Sequence, residues 1–188
     1  MGSNYYKIVI PVWFSQLPAL ELLHLGENYF LETIQDKSFN KLHKLKVLNL
    51  HSLHLKTVSS AWFSQLTALE KIDVAYNHFE FIPDDAFKSL NQLVNLDLNN
   101  NRLNRVSKAL LSHTPALQIL NLGGNKLRMI PDLTFNDLHQ LKELFLWKNG
   151  LTTLKTAWLR QLTNLENLDL SMNLFETIPE DVSKDSIS

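Results

Sequence analysis

The chain has 188 residues, 45% of them hydrophobic, and its 18 basic and 19 acidic residues give a net charge of −1. This length suits one folded domain, and a charge near zero argues against a nucleic-acid or anionic-membrane surface built on bulk charge. Cysteine is absent, which excludes disulfides and thiolate chemistry, and no apolar run reaches membrane-spanning length, so we expect no membrane insertion.

One pattern, LxxLxLxxNxL, recurs along the chain. It is LEKIDVAYNHF from Leu69, LVNLDLNNNRL from Leu93, LQILNLGGNKL from Leu117 and LENLDLSMNLF from Leu165. Leu20 and Leu45 extend the series upstream with one step of 25 residues instead of 24. A fixed period of this size predicts a solenoid in which each repeat supplies one strand and one return segment.

The repeats predict a single domain over residues 1–188. We expect a partial repeat at 4–19, in which Asn4 falls on the asparagine position, and full repeats that start near residues 20, 45, 69, 93, 117, 141 and 165. At the other end, Ser183 and Ser186 stand where the pattern requires apolar residues. Because solenoids need caps over their terminal cores, we expect the chain to be a fragment of a longer protein.

The LxxLxLxx segment of each repeat predicts a half-buried strand. Leu96 and Leu98 point inward in this alternation, whereas Asn95, Asp97 and Asn99 point outward. Stacking one strand per repeat produces a parallel sheet on the concave side of an arc.

An asparagine follows the strand in six repeats. Its amide can bond backbone groups of the turn in its own and the neighbouring repeat, which predicts a hydrogen-bonded ladder. The ladder residues are Asn28, Asn77, Asn101, Asn125, Asn149 and Asn173. Leu53 takes this position in the second repeat, where we expect local loosening.

The return segments predict the convex half of the core. They place one large apolar residue in a column: Phe14, Phe39, Phe63, Phe87, Leu111, Phe135 and Leu159. Two kinds of return segment alternate, as in TVSSAWFSQLTAL at 57–69 and FIPDDAFKSLNQL at 81–93. We expect short helical turns after Pro83, Pro131 and Pro179. In the other kind, Trp13, Trp62 and Trp158 recur beside the column and should pack over the core.

The segment IPDDAFKSLNQLVNLDLNNNRL at 82–103 resembles the 24-residue "typical" subtype of leucine-rich repeats. The resemblance covers about residues 8–182. It implies an α/β solenoid, a leucine-rich repeat arc with a concave parallel sheet and convex irregular or short-helical turns. The subtype is common in Toll-like receptor ectodomains, variable lymphocyte receptors, matrix proteoglycans and insect immune proteins. This chain departs from them in lacking cysteine-rich caps and glycosylation acceptors.

The resemblance implies a non-catalytic module that binds a protein partner on its concave face, as in a receptor ectodomain of innate immunity. An extracellular or secreted location follows from the subtype, and the lack of cysteine keeps a cytoplasmic location as the alternative. Two further functions stay open: a self-associating scaffold or adhesion protein, and an intracellular inhibitor of an enzyme. Self-association predicts a homodimer through uncapped ends or through the concave face.

No residues form a catalytic pattern. Asp73, Asp97 and Asp169 share one concave column, but Asn121 and Phe145 interrupt it, and aspartate is an ordinary solvated residue on such a surface. Because no nucleophile, base and orienting group converge, we expect no enzymatic activity, no catalytic residue and no cofactor.

Histidines concentrate in the early repeats. His54 and His78 occupy one column in adjacent repeats, about 5 Å apart along the sheet. A metal site needs converging ligands of fixed geometry, and proximity alone does not supply it, so we expect no metal. A pH-sensitive cluster is the milder hypothesis, with solvated side chains as its alternative. The cluster comprises His24, His51, His54 and His78.

The later repeats carry the strongest binding signal. Phe145 and Trp147 take outward strand positions, where neighbouring repeats have mostly small or polar residues. Large exposed aromatic residues of this kind form interface hot spots. Against this, the two rings could pack on each other, or a flanking domain could cover them. We expect the partner-binding surface to contain Phe145, Trp147, Ile119, Lys126, Lys148, Glu143, Met172, Tyr76, Arg102 and Asp97.

Overall fold

A computed structural model of the chain describes residues 7–176. Its strands are, in chain order, β1 (Ile8–Val9), β2 (Leu22–His24), β3 (Thr33–Ile34), β4 (Val47–Asn49), β5 (Lys71–Asp73), β6 (Asn95–Asp97), β7 (Ile119–Asn121), β8 (Glu143–Phe145) and β9 (Asn167–Asp169). Strands β2 and β4–β9 form one parallel sheet, and β1 pairs with β3. This arrangement confirms the predicted solenoid. The expectations for Asn4, Pro179, Ser183 and Ser186 lie outside the described residues.

The two halves of the core follow the two sequence patterns. Leu96 and Leu98 are fully buried, while Asn95 and Asp97, which alternate with them, are half-buried on the concave side. The convex column contains neighbouring phenylalanine rings, such as Phe63 and Phe87 with centroids 5.6 Å apart, and Leu111 continues it as a buried residue. Both faces of the core are therefore continuous from one repeat to the next.

The asparagine ladder forms as predicted. The Asn101 carbonyl oxygen accepts the backbone N–H of Phe79, at 3.1 Å. Its amide nitrogen donates to the backbone oxygens of Val74 and Leu98, at 3.0 and 3.1 Å. One buried side chain thus bonds the backbone of two adjacent repeats, which no apolar residue can do.

The predicted loosening at Leu53 is wrong, because two irregularities of the sequence compensate for each other. Leu53 is fully buried. The first repeat is one residue longer, and its Leu31 N–H donates to the backbone oxygen of Asn28 at 2.8 Å. In later repeats a ladder asparagine accepts the N–H at the corresponding position. Leu31 needs no such acceptor, so an apolar residue is tolerated at position 53.

The helical turns lie in the other kind of return segment from the one predicted. They span Pro11–Phe14, Ser60–Trp62, Lys108–Leu111 and Thr156–Leu159. Two begin at a serine that caps the turn: Ser59 accepts from the Ala61 N–H, and Ser107 accepts from the Leu110 N–H. The segments after Pro83 and Pro131 instead form successive isolated turns.

The predicted tryptophan packing on the convex side is confirmed for Trp62 and Trp158, but not for Trp13. Trp62 and Trp158 are buried, and their indole N–H groups donate to the backbone oxygens of Ile34 and Ile130, both at 3.2 Å. Trp13, in the first return segment, is 37% exposed. Within residues 7–176, no helix is long and apolar enough to cross a membrane.

Candidate recognition surface

The last residue of most strands in the main sheet has a side chain that faces outward and forms a hydrogen bond with the backbone. In five strands an aspartate or asparagine oxygen there accepts the backbone N–H two residues later, an Asx turn that ends the strand. The five acceptors are Asn49, Asp73, Asp97, Asn121 and Asp169, at 2.9–3.1 Å. The aspartates that were predicted to be ordinary solvated residues therefore also accept a backbone hydrogen bond at the end of the strand.

Asp97 is the most enclosed of these carboxylates. Burial raises its pKa above the ordinary aspartate value, and the neighbouring charge of Asp73 acts in the same direction. Hydrogen bonds from the backbone and side chain of Asn99 oppose this rise in pKa. Asp97, predicted as a binding residue, thus accepts the backbone hydrogen bond that ends strand β6.

Phe145 stands in the same column and cannot accept such a bond. It lies in register between Asn121 and Asp169, both of which form the turn. Its ring is half-buried. The strand β8 therefore has an apolar side chain where both adjacent strands carry a polar side chain that completes the backbone bonding.

The indole of Trp147 packs against the preceding repeat at Gly123. A Cβ atom added to Gly123 would overlap the indole ring, so glycine is required beneath it. His51 makes the same contact over Gly26. Because the indole contacts Gly123, Trp147 is half-buried and not fully exposed as predicted.

A left-handed turn follows each strand of the main sheet. The residue just before the ladder position has φ between 49° and 64° in every repeat: Glu27, Ser52, Tyr76, Asn100, Gly124, Lys148 and Met172. Only one of the seven is glycine, the residue that adopts this conformation most readily. The turn directs Tyr76 and Met172 away from the sheet, and they are 57% and 69% exposed.

The predicted binding residues divide into two groups. Asp97, Ile119, Glu143, Phe145 and Trp147 are half-buried on or directly after strands and form what we call the concave floor. Tyr76, Arg102, Lys126, Lys148 and Met172 are exposed at the turns and in the segments that leave them, which we call the rim. The sequence pattern did not separate these two surfaces.

The structure brings together only two of the four predicted histidines. Nδ1 of His54 and Nε2 of His78 lie 3.3 Å apart, and burial lowers the pKa of His78 below its ordinary value. His51 instead faces Glu27, at 3.9 Å, and His24 is exposed on β2. Among residues 7–176, no three His, Cys, Asp or Glu side chains are placed to hold a metal ion.

A groove beside the histidine pair was not predicted. It has a volume of about 830 Å³, and its lining includes Tyr29, His54, Lys56, Trp62 and His78. The rings of Tyr29 and His54 lie 6.1 Å apart at their centroids. The sequence feature that relates to this groove is the 25-residue step between Leu20 and Leu45. The longer return segment of the first repeat supplies part of the groove lining.

Comparison with known proteins identifies the family of the chain. The leucine-rich repeat family model matches residues 18–79, 67–127 and 115–175. A crystal structure of the TLR13–ssRNA13 complex is 29% identical with a TM-score of 0.68; the match covers 89% of this chain but only 27% of that one. Curated proteins give no match. The resemblance to repeats of the Toll-like type is thereby confirmed, and this chain belongs to the leucine-rich repeat family.

Proposed function

We propose that the chain is a non-catalytic recognition module whose concave floor binds a protein partner around Phe145 and Trp147. The observation that carries this proposal is that both residues of one repeat depart from the framework together. Phe145 replaces the Asx acceptor that both adjacent strands have, and Trp147 requires the glycine at position 123.

The replacement at Phe145 leaves the end of strand β8 without a backbone hydrogen bond that the adjacent strands have. The Phe145 ring is not among the buried core residues, and the backbone N–H of Trp147 lacks the side-chain acceptor available to the equivalent residues Gly123 and Ser171. Two adjacent, half-exposed aromatic rings are the composition of an interface hot spot. Partner binding supplies a reason for an arrangement in which strand β8 lacks this backbone hydrogen bond.

The similarity to TLR13 supports a role in recognition, and we extend it to extracellular innate immunity. The match spans about a quarter of the TLR13 chain, so partner and signalling role are proposals for this chain. That structure contains single-stranded RNA, which makes nucleic acid a second candidate ligand class. A self-associating scaffold would instead show concentration-dependent sedimentation, and an enzyme inhibitor would inhibit a target enzyme.

Trp147→Ala is expected to weaken binding of a purified partner by about 2 kcal/mol, or roughly 30-fold, while lowering the free energy of unfolding by only about 1 kcal/mol, since the indole is half-buried outside the core. Titration calorimetry measures the first effect and a thermal melt the second. Phe81→Ala is the matched control, because Phe81 is an exposed ring away from the concave floor. Equal affinity for the partner in parent and Trp147→Ala would place the binding site elsewhere.

A further inference from the structure

The rim of three adjacent repeats carries positive charge only. The segments that leave β6, β7 and β8 are residues 100–106, 124–130 and 148–154, and they contain five basic residues and no acidic residue. We call these five the basic strip: Arg102, Arg105, Lys126, Arg128 and Lys148. The net charge of −1 does not reveal this concentration of basic residues, because acidic residues elsewhere in the chain balance them.

The cations of the basic strip are not neutralised within the described part of the chain. All five are exposed, and the ion pairs found among residues 7–176 involve other cations, such as Lys46 with Glu21 at 2.8 Å. An exposed cation near like charges and without a carboxylate partner is available to an external anion.

The backbone beneath the basic strip is held in place. Arg102 N–H donates to the Phe79 oxygen at 2.9 Å, and Lys126 N–H donates to the Leu103 oxygen at 2.8 Å. Arg102 and Lys126 occupy one column, about 4.8 Å apart along the array. An anionic ligand would therefore meet a fixed row of charges, whose backbone does not have to become ordered on binding.

The basic strip adjoins the aromatic pair, and the floor next to it is acidic. Lys148 directly follows Trp147, and the Gly124 N–H donates to the Trp147 oxygen at 2.7 Å. Asp97 and Glu143 belong to the concave floor, on strands β6 and β8. Asp169 lies on the next strand, β9. A uniformly charged polyanion would be repelled by these carboxylates, whereas a protein can present acidic side chains to the rim and neutral ones to the floor.

We propose that the basic strip binds an acidic segment of the protein partner. This rests on the proposed function, since it assigns the partner's charge beside the Phe145–Trp147 site. Complementary charge at an interface rim mainly raises the association rate and fixes orientation, while the aromatic pair supplies the anchor. The expected partner therefore has acidic residues flanking an exposed apolar side chain.

Synthetic probes test this without knowledge of the natural partner. The first is a fluorescent peptide with a glutamate-rich segment followed by Phe-Leu, the second has Ser-Ser in place of Phe-Leu, and the third is oligothymidylate of equal charge. Fluorescence polarisation measures binding to the parent, to R102E/K126E and to K41E/K88E. The last pair is the control, because Lys41 and Lys88 are exposed on the convex return segments and make the same change in net charge.

R102E/K126E is expected to weaken both peptides about tenfold, because two attractive contacts become repulsive. The control should stay within about twofold, since Lys41 and Lys88 lie on the convex return segments and solvent ions screen exposed charges that are far from the bound peptide. Equal weakening by both double variants, or by neither, would overturn the proposal. So would tighter binding of oligothymidylate than of the peptides with the same loss in R102E/K126E, because the basic strip would then serve phosphate.

Trp147→Ala separates this inference from the proposed function. It should weaken the Phe-Leu peptide and leave the Ser-Ser peptide unchanged. If it changes neither peptide while R102E/K126E weakens both, the basic strip is supported and the aromatic anchor is not. If only Trp147→Ala has an effect, the anchor is supported and the acidic-partner proposal fails.

Discussion

Phe87→Ala is expected to lower the free energy of unfolding by about 3–5 kcal/mol. Phe87 is 1% exposed and stacks against Phe63 in the convex column, so removing its ring leaves a cavity in the middle of the array. Stability in a solenoid is largely a sum of repeat and interface terms, and this change weakens interfaces on both sides. Urea denaturation of parent and variant measures the difference.

The matched control for Phe87→Ala is Phe81→Ala in the same repeat. Phe81 is 51% exposed, so the same substitution removes a ring that supports little of the core. We expect a loss below about 1 kcal/mol, near the usual range for surface substitutions. Equal losses for the two variants would mean that the assignment of inward and outward positions is wrong.

Asn101→Ala is expected to destabilise the chain by about 1–3 kcal/mol. The substitution leaves the buried Phe79 N–H without its acceptor and removes the donor to the Val74 oxygen. Hydrogen exchange offers a local measurement beside the global one, because the Phe79 amide should exchange faster in the variant than in the parent.

Asn104→Ala serves as the control for the ladder. Asn104 is exposed in the same repeat, and its substitution should change stability by less than about 0.5 kcal/mol. Unaltered exchange of the Phe79 amide in Asn101→Ala would show that the ladder does not carry this bond.

Most of the framework could be predicted because each element depends on a repeated local requirement. The alternation of leucine fixes the strand faces, the asparagine satisfies backbone groups that every repeat exposes, and the phenylalanine column fills a volume common to all repeats. The prediction at Leu53 failed because the tolerance of leucine there depends on the bond from Leu31 to Asn28, a consequence of the longer first repeat. Because this compensation involves two repeats, it cannot be predicted from the residue at position 53 alone.

The prediction of the helical turns relied on proline, which favours the first position of a helix. Two of the four observed turns have a capping serine, at Ser59 and Ser107, whereas Pro11–Phe14 and Thr156–Leu159 have no side-chain cap. The turn after Pro83 has successive separate bonds instead, such as Ala86 N–H to the Pro83 oxygen at 3.0 Å. A proline in the return segment therefore does not by itself predict a helical turn.

The candidate surface was the least predictable part. Outward alternation identified Phe145 and Trp147, but the extent of their burial depends on Gly123, a residue 24 positions from Trp147 that only the register of the sheet brings beneath it. The basic strip is hidden in the sequence because its five cations are spread over three repeats and balanced in the composition by acids elsewhere. Charge segregation is a property of the folded array.

Phe145→Asn tests the central claim most directly, because it asks whether the departure from the framework serves binding. Asparagine at this position can accept the Trp147 N–H, as Asn121 accepts that of Gly123 in the preceding repeat. The new bond should offset the loss of a half-buried ring, so we expect stability within about 1 kcal/mol of the parent. Affinity for the Phe-Leu peptide should fall. A loss of stability as large as that of Phe87→Ala, or full affinity in the variant, would contradict the claim that Phe145 is a recognition residue.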